Sequence, residues 1–191
     1  MNSVLLISIC FCLMTLMLGC EDPASNTHAS ALFAGGCFWG VEHQLQQLPG
    51  VQSVTSGYTG GHTANPTYTQ VCSGETGHAE CVEVVYDPAT ISYAALARRF
   101  FEIHDPTTLN RQGPDKGTQY RSAIYYRTAE EQAAAKALIA QLRTNGYDVV
   151  TELAEASPFY PAEAYHQDYF ETHPGHGSCH FPVLRFDTPA K

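Results

Sequence analysis

The sequence predicts an α/β protein, a two-layer sandwich of one sheet and its covering helices, and three observations carry that reading. Strand-like runs recur along the chain, helix-like runs with apolar residues three and four apart lie between them, and the links are short and hairpin-free. With 191 residues, 44% hydrophobic and 11% aromatic, the chain has material for one domain with a sizeable core and is too apolar to be disordered.

In chain order, Ala31 to Gly36 is a short apolar run ending in Gly-Gly, so a strand gives way at Gly36-Cys37. Val41, Leu45 and Leu48 share one helix face until Pro49-Gly50 stops the helix. Val51 to Tyr58 reads as a strand, followed by a loop rich in Gly, Thr, Pro and Asn from Thr59 to Asn65. Cys81 to Asp87 alternates as a strand and ends at Pro88. Ser92 to His104 predicts a helix with Leu96, Phe100 and Ile103 inward. His104 to Gln119 is polar and turn-rich, too long for a mere connector, and such loops often carry function. Tyr120 to Arg127 is the next strand, and Thr128 with Glu131 forms a capping box for a helix ending at Asn145-Gly146. Asp148 to Ala154 is a further strand, Glu163 to Thr172 a short aromatic helix, and HPGHGSCHFPVLRF an irregular C-terminal tail.

The first segment stands apart from this pattern. Val4 to Leu18 is an uncharged apolar run, shorter than the ~20 residues a membrane-spanning helix needs, and it reads as a signal-peptide core. It ends at Leu18-Gly19-Cys20, which resembles the lipobox at which a bacterial lipoprotein is cut and its cysteine acylated. The expected organisation is a signal peptide over 1–19, a tether over 20–29 beginning with a lipidated Cys20, and a catalytic domain over 30–191. This places the protein in the cell envelope, held to the membrane by lipid alone. A net charge of −9 with only ten Lys plus Arg argues against a nucleic-acid partner, because that binding draws on cations that neutralise phosphates. No solenoid-length repeat is present.

Of seven cysteines, Cys10 and Cys12 leave with the signal and Cys20 takes the lipid, which leaves Cys37, Cys72, Cys81 and Cys179. Four cysteines in an exported chain ordinarily imply two structural disulfides. The surroundings of Cys37 point elsewhere. Gly35-Gly36-Cys37-Phe38-Trp39-Gly40 sets a thiol where a strand turns sharply into a helix, and free N–H groups with the positive end of the helix dipole stabilise a thiolate there. Phe38 and Trp39 beside it are aromatic surfaces suited to a small apolar group such as a methyl.

GCFWG followed by VEHQLQQLPGV, then SGYTGGHTANPTY, VCSGETGHAE, YDP, HDPTTLNRQGPDKGTQYRSAIYY and AEAYHQDYF, in that order over nearly all of residues 31 to 170, resembles the methionine sulfoxide reductase A family. The resemblance implies an α+β plait-like sandwich with a mixed sheet, and reduction of the S epimer of methionine sulfoxide, free or in proteins. It implies no bound cofactor but an external dithiol, thioredoxin or a thioredoxin-like protein, as the final reductant. Cys37 becomes the nucleophile, and Glu80 the acid set against the sulfoxide oxygen. Tyr68 and Tyr120 flank that oxygen as hydroxyl donors, and Asp115 lines the site. A carboxyl in an apolar pocket is pushed toward its protonated form, so Glu80 is expected to donate at neutral pH. Cys179, in a Gly-rich tail that is free to swing, takes the family's resolving position, condensing with the oxidised Cys37 to a disulfide. Cys72 is expected to be a buried thiol and Cys81 to pack within its strand. A monomer is the default.

Three other readings compete. His166, His173, His176, Cys179 and His180 crowd the C-terminal end at spacings open to zinc. A thioredoxin-like oxidoreductase is disfavoured because Gly40, not cysteine, stands three residues after Cys37. A disulfide-stapled envelope protein would hold Cys37–Cys179 and Cys72–Cys81 as permanent bonds.

Overall fold

The computed structural model describes residues 28–175 and 180–190; the expected signal peptide, the expected tether up to Thr27 with Cys20, and Cys179 lie outside the described residues. Strand β1 (Ala29–Gly35) leads to helix α1 (Phe38–Gln46), then β2 (Val51–Thr59), α2 (Tyr68–Cys72), β3 (Ala79–Tyr86) and α3 (Tyr93–Ile103). A two-residue ribbon, β4 (Arg111–Gln112) with β5 (Asp115–Lys116), sits in the long loop. It is followed by a 3-10 turn (Thr118–Tyr120), β6 (Ser122–Tyr126), α4 (Ala129–Thr144), β7 (Glu152–Glu155), β8 (Tyr160–Pro161), a 3-10 turn (Ala164–His166) and α5 (Tyr169–Thr172).

The six-stranded sheet runs β7-β6-β1-β3-β2-β8. All pairings are antiparallel except β6 with β7, so the sheet is mixed, as expected. Alternation along each strand separates two faces. Phe33 of β1 and Val82 and Val84 of β3 form one core with Val41 and Leu45 of α1, Leu96 and Phe100 of α3, and Ile139 and Leu142 of α4. Leu32, Ala34, Cys81, Ala123 and Tyr125 face the other way, under Ala154, Ala156 and Phe159. The Phe33 and Phe100 rings stack at 5.0 Å between centroids, and each such buried side chain contributes ~1.5–3 kcal/mol. Leu96, Phe100 and Ile103 all point inward, as the helical spacing predicts.

Several boundaries differ from the sequence expectation, each for a local reason. Helix α2 is absent from the expectation, although Thr67 and Gln70 form a capping box at its start. At α4 Thr128 accepts from the Glu131 amide, but the Glu131 carboxylate reaches back to the amide of Arg127 rather than of Thr128, so the box is incomplete. Strand β7 begins at Glu152 rather than Asp148, because the Val150 amide bonds Pro106 in the long loop and Val149 turns into the core. Strand β6 begins at Ser122, because the chain makes a 3-10 turn through Tyr120. The aromatic helix is split in two. Gln167 turns its amide onto Ser56 and Ala162, and Asp168 takes a left-handed φ of 50°.

At that split the Asp168 amide donates to Glu42 of α1 at 3.1 Å. Glu42 is 1% exposed, and Ser56 is the other polar group that favours its charged form. Burial first, and the nearby Asp168 second, push its pKa from 4.5 to about 7. The fold therefore holds a proton there that the unfolded chain has already lost. Stability falls as pH rises from 4.5 toward 7, and the full penalty persists above that. Glu42→Gln should melt a few degrees above the wild type at pH 8, at about 2–4 °C per kcal/mol for a domain of this size. That gap should close at pH 4, as calorimetry at the two pH values would measure.

Candidate active site

Cys37 is the N-cap of α1, half-buried, with φ −54° and ψ 116°, and the Gly40 amide closes the first helical turn onto its carbonyl. Gly36 before it has φ +93°, and a Cβ there would lie 2.4 Å from Gln112. Only glycine permits that turn. Gln112 itself is held by two hydrogen bonds to the Asp105 backbone, so the long loop buttresses the cysteine turn. His104 at the start of that loop is wedged between the Phe100 carbonyl and Ser122, and burial pushes its pKa down to about 3, so it stays neutral.

Glu80 belongs to the helix-facing side of β3, with Val82 and Val84, and pairs across the sheet with Tyr58. It is 2% exposed and accepts a hydrogen bond at 3.1 Å from the amide of Phe38, the residue after the cysteine. That bond uses one of the orphan N–H groups of the helix start, and it fixes the carboxyl beside the Cys37 turn. Tyr120, at the end of the 3-10 turn, faces the same place. Its hydroxyl is held well above its ordinary pKa by burial first, then by the Glu80 and Asp115 carboxylates, with Cys72 and Cys37 adding to the effect. Tyr68, the first residue of α2, is raised by burial, by its bond to Cys72 and by Glu80. Both phenols therefore remain protonated donors at any physiological pH. The site brings together Cys37, Glu80, Tyr68, Tyr120 and Asp115.

The aromatic wall is built in depth. Phe38 is 1% exposed and lies beneath, against Tyr58 and His166. Trp39 is half-buried and supplies the open edge; Tyr169 stacks on it at 3.6 Å and 4°. The indole N–H donates to His166 Nδ1 at 3.1 Å. Burial lowers the pKa of His166, so its ring is neutral and the proton sits on Nε2, a buried donor with no partner among the described residues, in a ring 4.4 Å from that of Tyr68. Glu163 accepts from the Tyr68 amide and the Tyr58 hydroxyl at 2.9 Å each. Burial opposes ionisation of Glu163, but those bonds outweigh it and keep the carboxyl below its ordinary pKa.

The sequence offers no role for Glu163 or Tyr169 and only a zinc-ligand reading for His166, although their three-residue spacing is the available signal. Cys81 packs within β3 as expected, but on the far face of the sheet, with burial raising its thiol out of reach of ionisation. Cys72 corrects the expectation of a buried thiol, since it is exposed at the end of α2. Cys72 and Cys81 are both free thiols, which removes the staple between them. Among the described residues no cluster of His, Cys, Asp and Glu is arranged to hold a metal ion.

Fold and site together set a thiol at a helix start among a buried carboxyl, two protonated tyrosines and an aromatic wall. The sequence profile described as "Peptide methionine sulfoxide reductase" matches residues 29–190. Peptide methionine sulfoxide reductase MsrA of Acinetobacter baumannii (strain AYE) is 55% identical over 153 residues, covering 80% of this chain and 88% of that protein. Its counterpart in Klebsiella pneumoniae (strain 342) is 57% identical over 155 residues, covering 78% and 73%. Among solved structures, the reduced form of Mxr1 from Saccharomyces cerevisiae superimposes with a TM-score of 0.78 at 34% identity, over 84% of this chain and 94% of that one. The chain belongs to the peptide methionine sulfoxide reductase family, in its MsrA class.

Proposed function

We propose that this protein reduces the S epimer of methionine sulfoxide, free or in proteins, with Cys37 as nucleophile and Glu80 as acid. The observation that carries the mechanism is the Glu80 carboxyl bonded to the Phe38 amide, one residue from the thiol. The Cys37 thiolate attacks the sulfoxide sulfur while Glu80 gives a proton to the oxygen, and Tyr68 and Tyr120 donate to that oxygen as charge builds on it. The S–O bond breaks and the oxygen leaves as water, so Cys37 is joined to the methionine sulfur as a sulfonium. Water then attacks the Cys37 sulfur, the S–S bond breaks with its electron pair going to methionine, a proton is released, and Cys37 is left as a sulfenic acid. The methyl group rests against Trp39, and Asp115 completes the polar side.

Cys179 then attacks the sulfenic sulfur, forming a Cys37–Cys179 disulfide and releasing water. A thioredoxin-like dithiol reduces that disulfide by exchange. Mxr1, the yeast relative, has been solved in complex with Trx2, which supports a reductant of that class. The resolving step has a direct check. After one equivalent of substrate and no reductant, Cys179→Ser should carry one extra oxygen on Cys37 by mass spectrometry, whereas the wild type loses two hydrogens. A disulfide in the variant would remove Cys179 from the scheme. The lipobox-like Leu18-Gly19-Cys20 supports an enzyme anchored in the cell envelope through Cys20.

A further inference from the structure

From His180 to Arg185 the tail inverts the usual polarity. Phe181 and Leu184 are 71% and 57% exposed, while His180 and Arg185 are 1% and 8% exposed. Ordinary burial runs the other way, so this stretch is held to the body by polar pegs, and the apolar anchor follows at Phe186, 6% exposed and packed in the main core. Arg185 donates to the carbonyls of Phe101 and Glu102 at the end of α3, and the Val183 amide bonds the Glu102 carbonyl at 2.8 Å. His180 is seated on the catalytic turn itself. Its Nε2 donates to the Gly35 carbonyl at 2.8 Å, two residues before Cys37. The seat is cut for it: a Cβ at Gly40 would lie 2.1 Å from His180 Nδ1, and one at Gly36 would lie 3.6 Å from Nε2. The glycine three residues after Cys37 is thus the floor of a slot for an imidazole, which gives a physical reason why no larger side chain stands there.

We propose that His180 is the positioning residue of the resolving step, a peg that docks the tail against the Cys37 turn and keeps Cys179 in its neighbourhood. The inference rests on the proposed role of Cys179. Whatever conformation Cys179 takes, one peptide unit, ~3.8 Å between Cα atoms, ties it to a residue fixed on Gly35. A tether that short raises the effective concentration of one thiol at the other. The chemistry is unchanged by His180: Cys179 thiol and Cys37 sulfenic acid give a disulfide and water, with no electron or proton balance passing through the imidazole.

The test separates the two steps in rapid-quench experiments without reductant, following methionine release and then disulfide formation in the wild type, His180→Ala and His180→Gln. His180→Ala should release its first methionine at the wild-type rate but form the disulfide at least about tenfold more slowly, the scale of one lost buried hydrogen bond. His180→Gln, which keeps an amide donor at similar reach, should recover most of that loss. A general loss of structure would slow both steps and would not be rescued, and that pattern overturns the proposal. So does an unchanged rate of disulfide formation in His180→Ala with normal methionine release, and this outcome leaves the reductase reading intact. Absence of methionine release in the wild type would instead overturn the reductase reading, and the proposal with it.

Discussion

Cys37→Ser is expected to lose at least about 10⁴-fold in turnover of methionine sulfoxide, on the scale seen when a covalent nucleophile is removed. A serine hydroxyl at this helix start is far less acidic than a thiol, and it has no accessible sulfenic state to take the oxygen. The fold should be untouched. Serine is a good N-cap, so the start of α1 keeps or gains stability, and thermal melting should match the wild type within a degree or two. Loss of activity with an unchanged melting curve therefore isolates chemistry from structure. Residual turnover within about tenfold of the wild type would move the nucleophile elsewhere. Exposed Cys72, whose thiol bonds Tyr68, would be the first place to look.

Glu80→Gln is expected to cost about 10²–10⁴-fold in kcat, the range for removing a general acid. The substitution keeps what the architecture needs, because the amide oxygen of glutamine accepts from the Phe38 N–H as the carboxylate does. It removes the acidic proton. A Glu80→Ala variant would do more, leaving a buried amide unsatisfied at a cost of about 1–3 kcal/mol. The informative comparison is thus Gln against wild type: substrate affinity near normal, the chemical step slowed, and the acid dependence of kcat flattened. A Gln variant that retains the wild-type kcat would reduce Glu80 to a cap for α1, with the oxygen served by Tyr68 and Tyr120 alone.

Much of this was legible before any coordinate. Apolar spacing placed the core faces of α1 and α3, and Gly-Gly-Cys at the end of an apolar strand located the turn that exposes the thiol. The family motifs then drew Glu80, Tyr68, Tyr120 and Asp115 to it. What sequence did not carry was tertiary. Nothing in the alternation of β3 says which face the sheet buries against helices, and that choice puts Glu80 beside Cys37 and Cys81 behind the sheet. The break at Gln167 and Asp168 is equally hidden, because the helical pattern is overridden by bonds to Ser56 and Glu42 more than a hundred residues away. His166 and His180 read as possible metal ligands in a crowded tail. In three dimensions one orients an indole and the other sits on a glycine turn. The exposure of Cys72 is hidden for the same reason, since it depends on its place at the end of a five-residue helix that no apolar periodicity announces.

The most direct test of the central claim is turnover of the separated S and R epimers of a methionine sulfoxide substrate by the wild-type protein, with dithiothreitol as reductant. Consumption of the S epimer alone, with one methionine formed per dithiol oxidised, is the predicted result. Consumption of neither epimer by a folded protein, or of both at similar rates, would contradict it.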